Sequence, residues 1–504
     1  MTPAAMQVMH RRLPWPLSRW LAAGMAAITL AVLPLYTGST LIFLAFGIAS
    51  IALAVVGGIM SQSCYCRLLA IFLCLGFWAK LVIHLLGDNL IEPVGAFNYL
   101  PGPWDRVLLV SALALASTTL AIALCGVLDR CFALPKVEKP SNPVAYAFPL
   151  FAMSAAVAVV LFGLNYWYAI LKIGHMPRLQ LNSYIHVAVS FIVSWGAMLW
   201  LGALAFWLVQ QGRWPILAIF LVAAVEGALA SASMASRAQM FVHVIAVGMF
   251  YVLWRHRLQL KISARDWIKI AIVTGLLFVT SLAAVSIARL LLFPTAALAS
   301  EITSAPRLSE AAPSANAPTP ARAGPPAALT DERSLAAKAD SIRKELTLLL
   351  VNRWIGLEGV MAISSSDQLG MPLLFAILKE RPDAGTNAIY QRISHSHYQQ
   401  LRDFVFLTLP GPAAIFFSTG NLLILSLGMM LLIFAGYAIE RVAELWTMNP
   451  VASSIIGCAL AFLVSNMNFP HTLFYFTLLL CCALGFITLY RIAGQHWSGT
   501  SGNR

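Results

Sequence analysis

Residues 39–60 read STLIFLAFGIASIALAVVGGIM. The stretch contains no charged side chain, and its polar residues are hydroxyls and glycines. A helix rises 1.5 Å per residue, so about 20 apolar residues cross the roughly 30 Å hydrocarbon core of a bilayer. In lipid every backbone N–H and C=O must be satisfied within the segment, which a helix achieves alone. The stretch is therefore predicted to be a transmembrane helix. Working outward, runs of the same kind are found near 17–36, 68–86, 107–127, 144–165, 185–209, 215–234, 239–254, 270–292, 415–438, 451–467 and 472–490. Together they predict an all-α polytopic membrane protein of about 12 transmembrane helices with one large extracytoplasmic loop. The first run follows Arg11, Arg12 and Arg19 but lacks a small-residue cleavage site and passes through Thr37-Gly38 into the next span. It is read as a retained anchor and not a cleaved signal.

Composition agrees. The chain has 504 residues, 60% hydrophobic and 11% charged, with a mean hydropathy of +0.80. Soluble domains carry about 25% charged residues, so a soluble enzyme is excluded, and disorder over most of the chain is excluded by the same hydrophobicity. The net charge of +13 raises the question of nucleic acid, and the distribution of that charge answers it. With the N-terminus in the cytoplasm, the inward segments hold 16 basic groups against five acids, whereas the loop 301–403 holds 11 of each. This is a positive-inside pattern, with both termini cytoplasmic, and no nucleic-acid partner is expected. None of the eight cysteines falls in 301–403, and Cys64-Tyr65-Cys66 and Cys481-Cys482 lack metal or redox spacing.

Four regions follow. Residues 1–292 form an N-terminal membrane region of about nine spans, and residues 415–504 a C-terminal region of about three. Between them lie a Pro/Ala-rich linker, 293–330, and a helical extracytoplasmic loop, 331–414. Leu335, Ala339, Ile342, Leu346 and Leu349 recur at helical spacing, an apolar stripe suited to the mouth of the membrane body or the bilayer interface. A second helix is predicted after Ser366-Asp367, with Pro372 in its first turn.

A long outward loop is the informative feature, because neither an anchor nor a transporter requires one. It carries no GxSxG, HExxH, Walker or EF-hand pattern and no carboxylate cluster of metal-ligand spacing, so no metal and no cofactor are expected. The outward face instead holds arginines and histidines. Arg237 sits in Ser236-Arg237, a polar break between two spans, and Arg289 a few residues inside the ninth span. Such arginines either snorkel to water or present a planar fork to phosphate. Glu226 lies deep in the seventh span, where an acid is a functional candidate; the structural reading pairs it with Arg289 or Lys80. Lys172 and Arg178 follow the aromatic run Tyr166-Trp167-Tyr168, which suits either membrane anchoring or stacking on sugar rings.

The stretch Asn352-Arg353-Trp354-Ile355-Gly356-Leu357-Glu358-Gly359-Val360, then Leu409-Pro410-Gly411 and Phe416-Phe417-Ser418-Thr419-Gly420-Asn421, resembles the polymerases of the O-antigen and exopolysaccharide repeat-unit polymerase superfamily, which are related to the O-antigen ligases. The Ser236-Arg237 break and the plan of many helices with one late outward loop are similar as well. The plan covers nearly the whole chain, the motifs about a tenth of it. The RX10G pattern of some relatives is departed from: Arg237 and Gly248 have the spacing, but Gly248 lies in a predicted span.

The resemblance implies a GT-C-like polymerase/ligase fold and a metal-independent glycosyltransferase of the bacterial cytoplasmic (inner) membrane. Its substrates would be oligosaccharides on undecaprenyl diphosphate, joined at the outer membrane face. Membrane lipids, a chain-length regulator and a flippase of the same pathway are the implied partners. In that chemistry an acceptor hydroxyl attacks the anomeric carbon and a lipid diphosphate leaves, so fixed cations must meet the developing charge. Arg237 and Arg353, assisted by Arg289 or Arg392, are the candidate diphosphate-binding residues. Glu358, His395 and His397 are the candidate general bases. Lys172, Arg178 and Tyr168 are candidates for binding glycan or acceptor. A glycan ligase shares the same donor. A lipid-linked oligosaccharide transporter or flippase is the reading from another class; against it, no matching pair of Gly/Pro-interrupted spans marks two halves. A signalling or scaffold role is disfavoured because the longest inward loop is about 15 residues.

Overall fold

The computed structural model describes residues 15–87, 91, 94–131, 147–172, 178–179, 181–292, 354–380, 388–395, 409–447 and 449–466, with isolated positions at 477, 481, 484 and 488. The described residues are helical, with no strand among them. The helices are α1 (Trp15–Val32), α2 (Thr40–Leu53), α3 (Cys64–Cys74), α4 (Lys80–Leu86), α5 (Pro101–Cys131), α6 (Ala147–Tyr168), α7 (Ser183–Phe191), α8 (Ala197–Gln210), α9 (Leu217–Met234), α10 (Gln239–Trp254) and α11 (Ala264–Leu292). After the long loop come α12 (Leu357–Ser364), α13 (Met371–Leu378), α14 (Ile389–Ile393), α15 (Gly411–Phe417), α16 (Leu422–Thr447) and α17 (Pro450–Ser465).

Among the described residues, nine helical segments are long and apolar enough to cross a membrane, and α10 and α17 are shorter apolar helices. The protein is an α-helical polytopic membrane protein. The predicted helix after Ser366-Asp367 is α13, with Pro372 in its first turn, where the missing N–H is harmless. The linker 293–330, the stripe Leu335–Leu349 and most of the predicted span 472–490 lie outside the described residues.

Three of the spans contain π-helical turns that hydropathy does not reveal: Ala54–Met60 closing the span begun by α2, Leu75–Ala79 between α3 and α4, and Ile192–Gly196 between α7 and α8. A π turn inserts a residue, rotates the face that follows and loosens the local carbonyl ladder. The second of these turns precedes Lys80 and the third contains Ser194. Both residues matter below.

Contacts between helix ends divide the bundle into two poles. At one, the Glu440 carboxylate of α16 accepts from the Cys64 N–H at 2.8 Å, the Tyr65 N–H at 3.0 Å and the Ser63 hydroxyl, capping α3. Beside it Arg441 pairs with Asp129 of α5 at 2.8 Å and with Glu444. At the other, Tyr36 donates to Asp105 at 2.7 Å, and the short segments α12 and α15 dock against the spans. This second pole is called the loop end. The ends that meet are those that simple alternation of the spans brings together.

Docking at the loop end depends on backbone approach without side chains. A Cβ on Gly76 would lie 2.0 Å from the Ile355 carbonyl oxygen, and one on Gly359 would lie 1.8 Å from that of Pro410. Neither neighbour is a side-chain tip that can swing away. Gly76→Ala is therefore expected to exceed the ~1–3 kcal/mol of ordinary overpacking and to detach the 354–364 segment from α3–α4. Limited proteolysis of the purified protein checks this, with faster cleavage near Trp354 as the expected outcome.

Candidate functional site at the loop end

The docked segment delivers one acid to one buried base. Lys80, at the first position of α4, is 1% exposed, and its ammonium pairs with the Glu358 carboxylate and donates to the Trp354 carbonyl at 2.7 Å. Glu358 stands in the first turn of α12 and keeps 21% of its side chain exposed. Tyr390 of α14 is buried close by; burial, then the Glu358 charge, push its phenol well above the ordinary range. The Gly95 N–H donates to the Ser394 carbonyl at 2.8 Å and braces the far side of α14. The arrangement presents a carboxylate to the loop end, with its orientation fixed from below by an ammonium rising out of the membrane-spanning region.

A second patch is built around the Ser236-Arg237 break. Helix α9 ends at Ala235 in the left-handed region, with φ +52°, an unusual conformation for a residue with a Cβ. That reversal leaves Arg237 exposed while Ser236 and Gln239 are buried. Asn165, itself fully buried, ties the neighbouring elements together. Its amide nitrogen donates to the Ser233 hydroxyl at 2.7 Å and to the Leu171 carbonyl at 3.1 Å, and its oxygen accepts from the Leu171 N–H at 2.7 Å. Hence the end of α6, the Leu171-Lys172 segment and the start of the Arg237 turn form one rigid unit.

Other candidates fall as follows. Lys172 is buried with its ammonium 4.8 Å from the Tyr166 ring centre; burial, then the Arg178 charge, lower its pKa. Arg178 and Tyr168 are exposed near it. Arg392 and His395 are exposed on and just after α14, His395 with φ +47°. Arg289 lies in the last turns of α11, where only the backbone is described, and Arg353 and His397 lie outside the described residues. Among the described residues no group of three or more His, Cys, Asp and Glu side chains is arranged to hold a metal ion.

Of the two partners weighed for Glu226 from sequence, Lys80 is corrected, and the Arg289 side chain lies outside the described ones. Glu226 is partnered neither by Lys80, which Glu358 takes, nor by a described arginine. Its partner is His243 of α10, whose Nδ1 lies 2.6 Å from the Glu226 Oε2. A lone histidine in an apolar run gives no signal of this kind, because the pair spans two helices and a turn. Sequence reading also passed over Arg106, exposed at the start of α5, whose guanidinium lies 5.7 Å from the Phe417 ring centre.

No family model matches the chain, and neither the curated proteins nor the solved structures give a significant match.

Proposed function

We propose that the protein is a membrane-embedded, metal-independent glycosyltransferase with about 12 spans and a GT-C-like arrangement. It extends O-antigen, capsule or exopolysaccharide chains from undecaprenyl-diphosphate-linked oligosaccharides at the outer face of the bacterial cytoplasmic membrane. The observation that carries this reading is the partly exposed Glu358 carboxylate, held at the loop end by buried Lys80. Glu358 also lies in one of the stretches that resemble repeat-unit polymerases.

In this reading the acceptor hydroxyl gives its proton to Glu358 as the oxygen bonds to the anomeric carbon. The bond from that carbon to the diphosphate oxygen breaks, and the lipid diphosphate leaves with the electron pair. Exposed Arg237 and Arg392, with Arg353 and Arg289, meet the charge on the departing diphosphate, a task suited to a permanently charged, bidentate side chain. Arg178 and Tyr168 contact the glycan beside the Arg237 turn. Deletion of the gene tests the reading. Loss of all glycan beyond a single repeat is expected, whereas full-length polymer stranded on the lipid carrier would instead identify a ligase.

A further inference from the structure

The Glu226–His243 pair is untouched by that chemistry, and its hydrogen bonding is incomplete in an informative way. Glu226 is 3% exposed and His243 fully buried. One carboxylate oxygen meets the imidazole Nδ1, while the other, Oε1, is buried without a hydrogen-bond partner among the described residues. On the far side of the ring, Nε2 lies 2.8 Å from the Ser194 carbonyl oxygen and also 2.8 Å from the Gln239 amide nitrogen. The same amide nitrogen donates to Ser194, whose carbonyl is made available by the π turn.

These contacts suit two arrangements of protons. With the imidazole neutral, Nδ1–H donates to Glu226 and the Nε2 lone pair accepts from the Gln239 amide, whose second hydrogen goes to Ser194. With the imidazole protonated, Nε2–H must donate, and the Ser194 oxygen is placed to accept. The Gln239 amino group then faces another donor and has to turn. Gln239 is the first residue of α10 and lies two residues beyond Arg237.

We infer that Glu226 and His243 form an intramembrane proton-binding site whose occupancy sets the position of the Arg237 turn through Gln239. Among the described residues no other charged group bonds to the pair. Of the neighbouring elements, α8 has no titratable side chain, and α17 has Cys458, directed at the Val242 carbonyl 3.6 Å away. Helix α3 has Arg67, bonded to the Ile59 and Ser61 carbonyls, Tyr65, whose hydroxyl donates to the Leu432 carbonyl at 3.0 Å, buried Cys64 and Cys66, and half-buried Cys74. Helix α11 has Arg265, Asp266 and Lys269 at its opposite end and Arg289 toward the loop end, and α6 has Tyr166 and Tyr168 at the loop end. Intramembrane acid–histidine pairs are expensive to maintain and commonly mark proton pathways.

The coupling to Arg237 rests on the proposed function; proton binding does not, so two readouts separate them. In the full-length protein labelled with ¹⁵N-histidine, the His243 signals are assigned by their loss in His243→Gln and followed between about pH 5 and 8, the range in which histidine ordinarily changes charge. The His243 signals are expected to change with pH in the wild type, and the change is expected to differ in Glu226→Gln, which removes the counter-charge. Glu226→Asp, keeping the charge, should titrate closer to the wild type. A single fixed tautomer across the range would overturn the site. The second readout is polymer formation against pH, whose profile should shift in Glu226→Gln in step with the His243 titration. An unshifted profile beside a shifted titration would overturn the coupling alone, and absence of any polymer in the wild type would count against the proposed function while leaving the titration to decide the proton site.

Discussion

Glu358→Gln is expected to lower polymer formation by about 10²–10⁴-fold, the usual contribution of a general base. The same change leaves the buried Lys80 ammonium without its counter-charge. Breaking one side of a buried pair typically costs about 3–5 kcal/mol, whereas replacing both partners by apolar residues is often close to neutral. The double variant Lys80→Met with Glu358→Met therefore separates structure from chemistry. Its abundance in the membrane should exceed that of either single methionine variant, yet it should make no polymer. Polymer formation restored along with abundance would show that the pair is only a fastener for the docked segment. Immunoblotting of membranes beside a glycan ladder gives both quantities.

Arg237→Ala should reduce polymer by about 10²–10³-fold, the cost of losing one donor to transition-state charge. Protein abundance should stay normal, because the side chain is exposed and the turn is held by other residues: Asn165 on Ser233, and the Ser231 hydroxyl accepting from the Met240 N–H at 2.9 Å. Arg237→Lys should recover only part of the loss, since an ammonium keeps the charge but not the planar fork. Full recovery by lysine would mean that Arg237 provides general electrostatic attraction, and wild-type polymer from Arg237→Ala would remove it from the site.

Much of the fold was legible because a bilayer imposes one rule on every span. Apolar length alone located a helix at each of the eleven predicted spans within the described residues, and alternation of those spans brought together ends such as Asp129 and Arg441. Hydropathy could not show the π turns, since inserting one residue changes helix phase without changing composition. It therefore could not foresee that Ser194 would offer its carbonyl to Gln239 or that Lys80 would point at the docked segment. Glu358 was legible as a candidate through its motif. Its partner was not, because Lys80 lies 278 residues earlier and the pairing depends on Gly76 allowing Ile355 to approach. The Glu226–His243 pair was half legible: an acid in an apolar run attracts notice, while the histidine opposite it reads as one more buried side chain.

The central claim is that this chain itself joins lipid-linked repeat units. The purified protein, placed in vesicles with undecaprenyl-diphosphate-linked repeat units extracted from cells lacking it, provides the most direct measurement. With a chelator of divalent cations present throughout, the account predicts a ladder of progressively longer glycans on the lipid carrier, absent when the Glu358→Gln variant replaces the wild type. Repeat units that remain single, whether they stay in place or cross the bilayer, would contradict it.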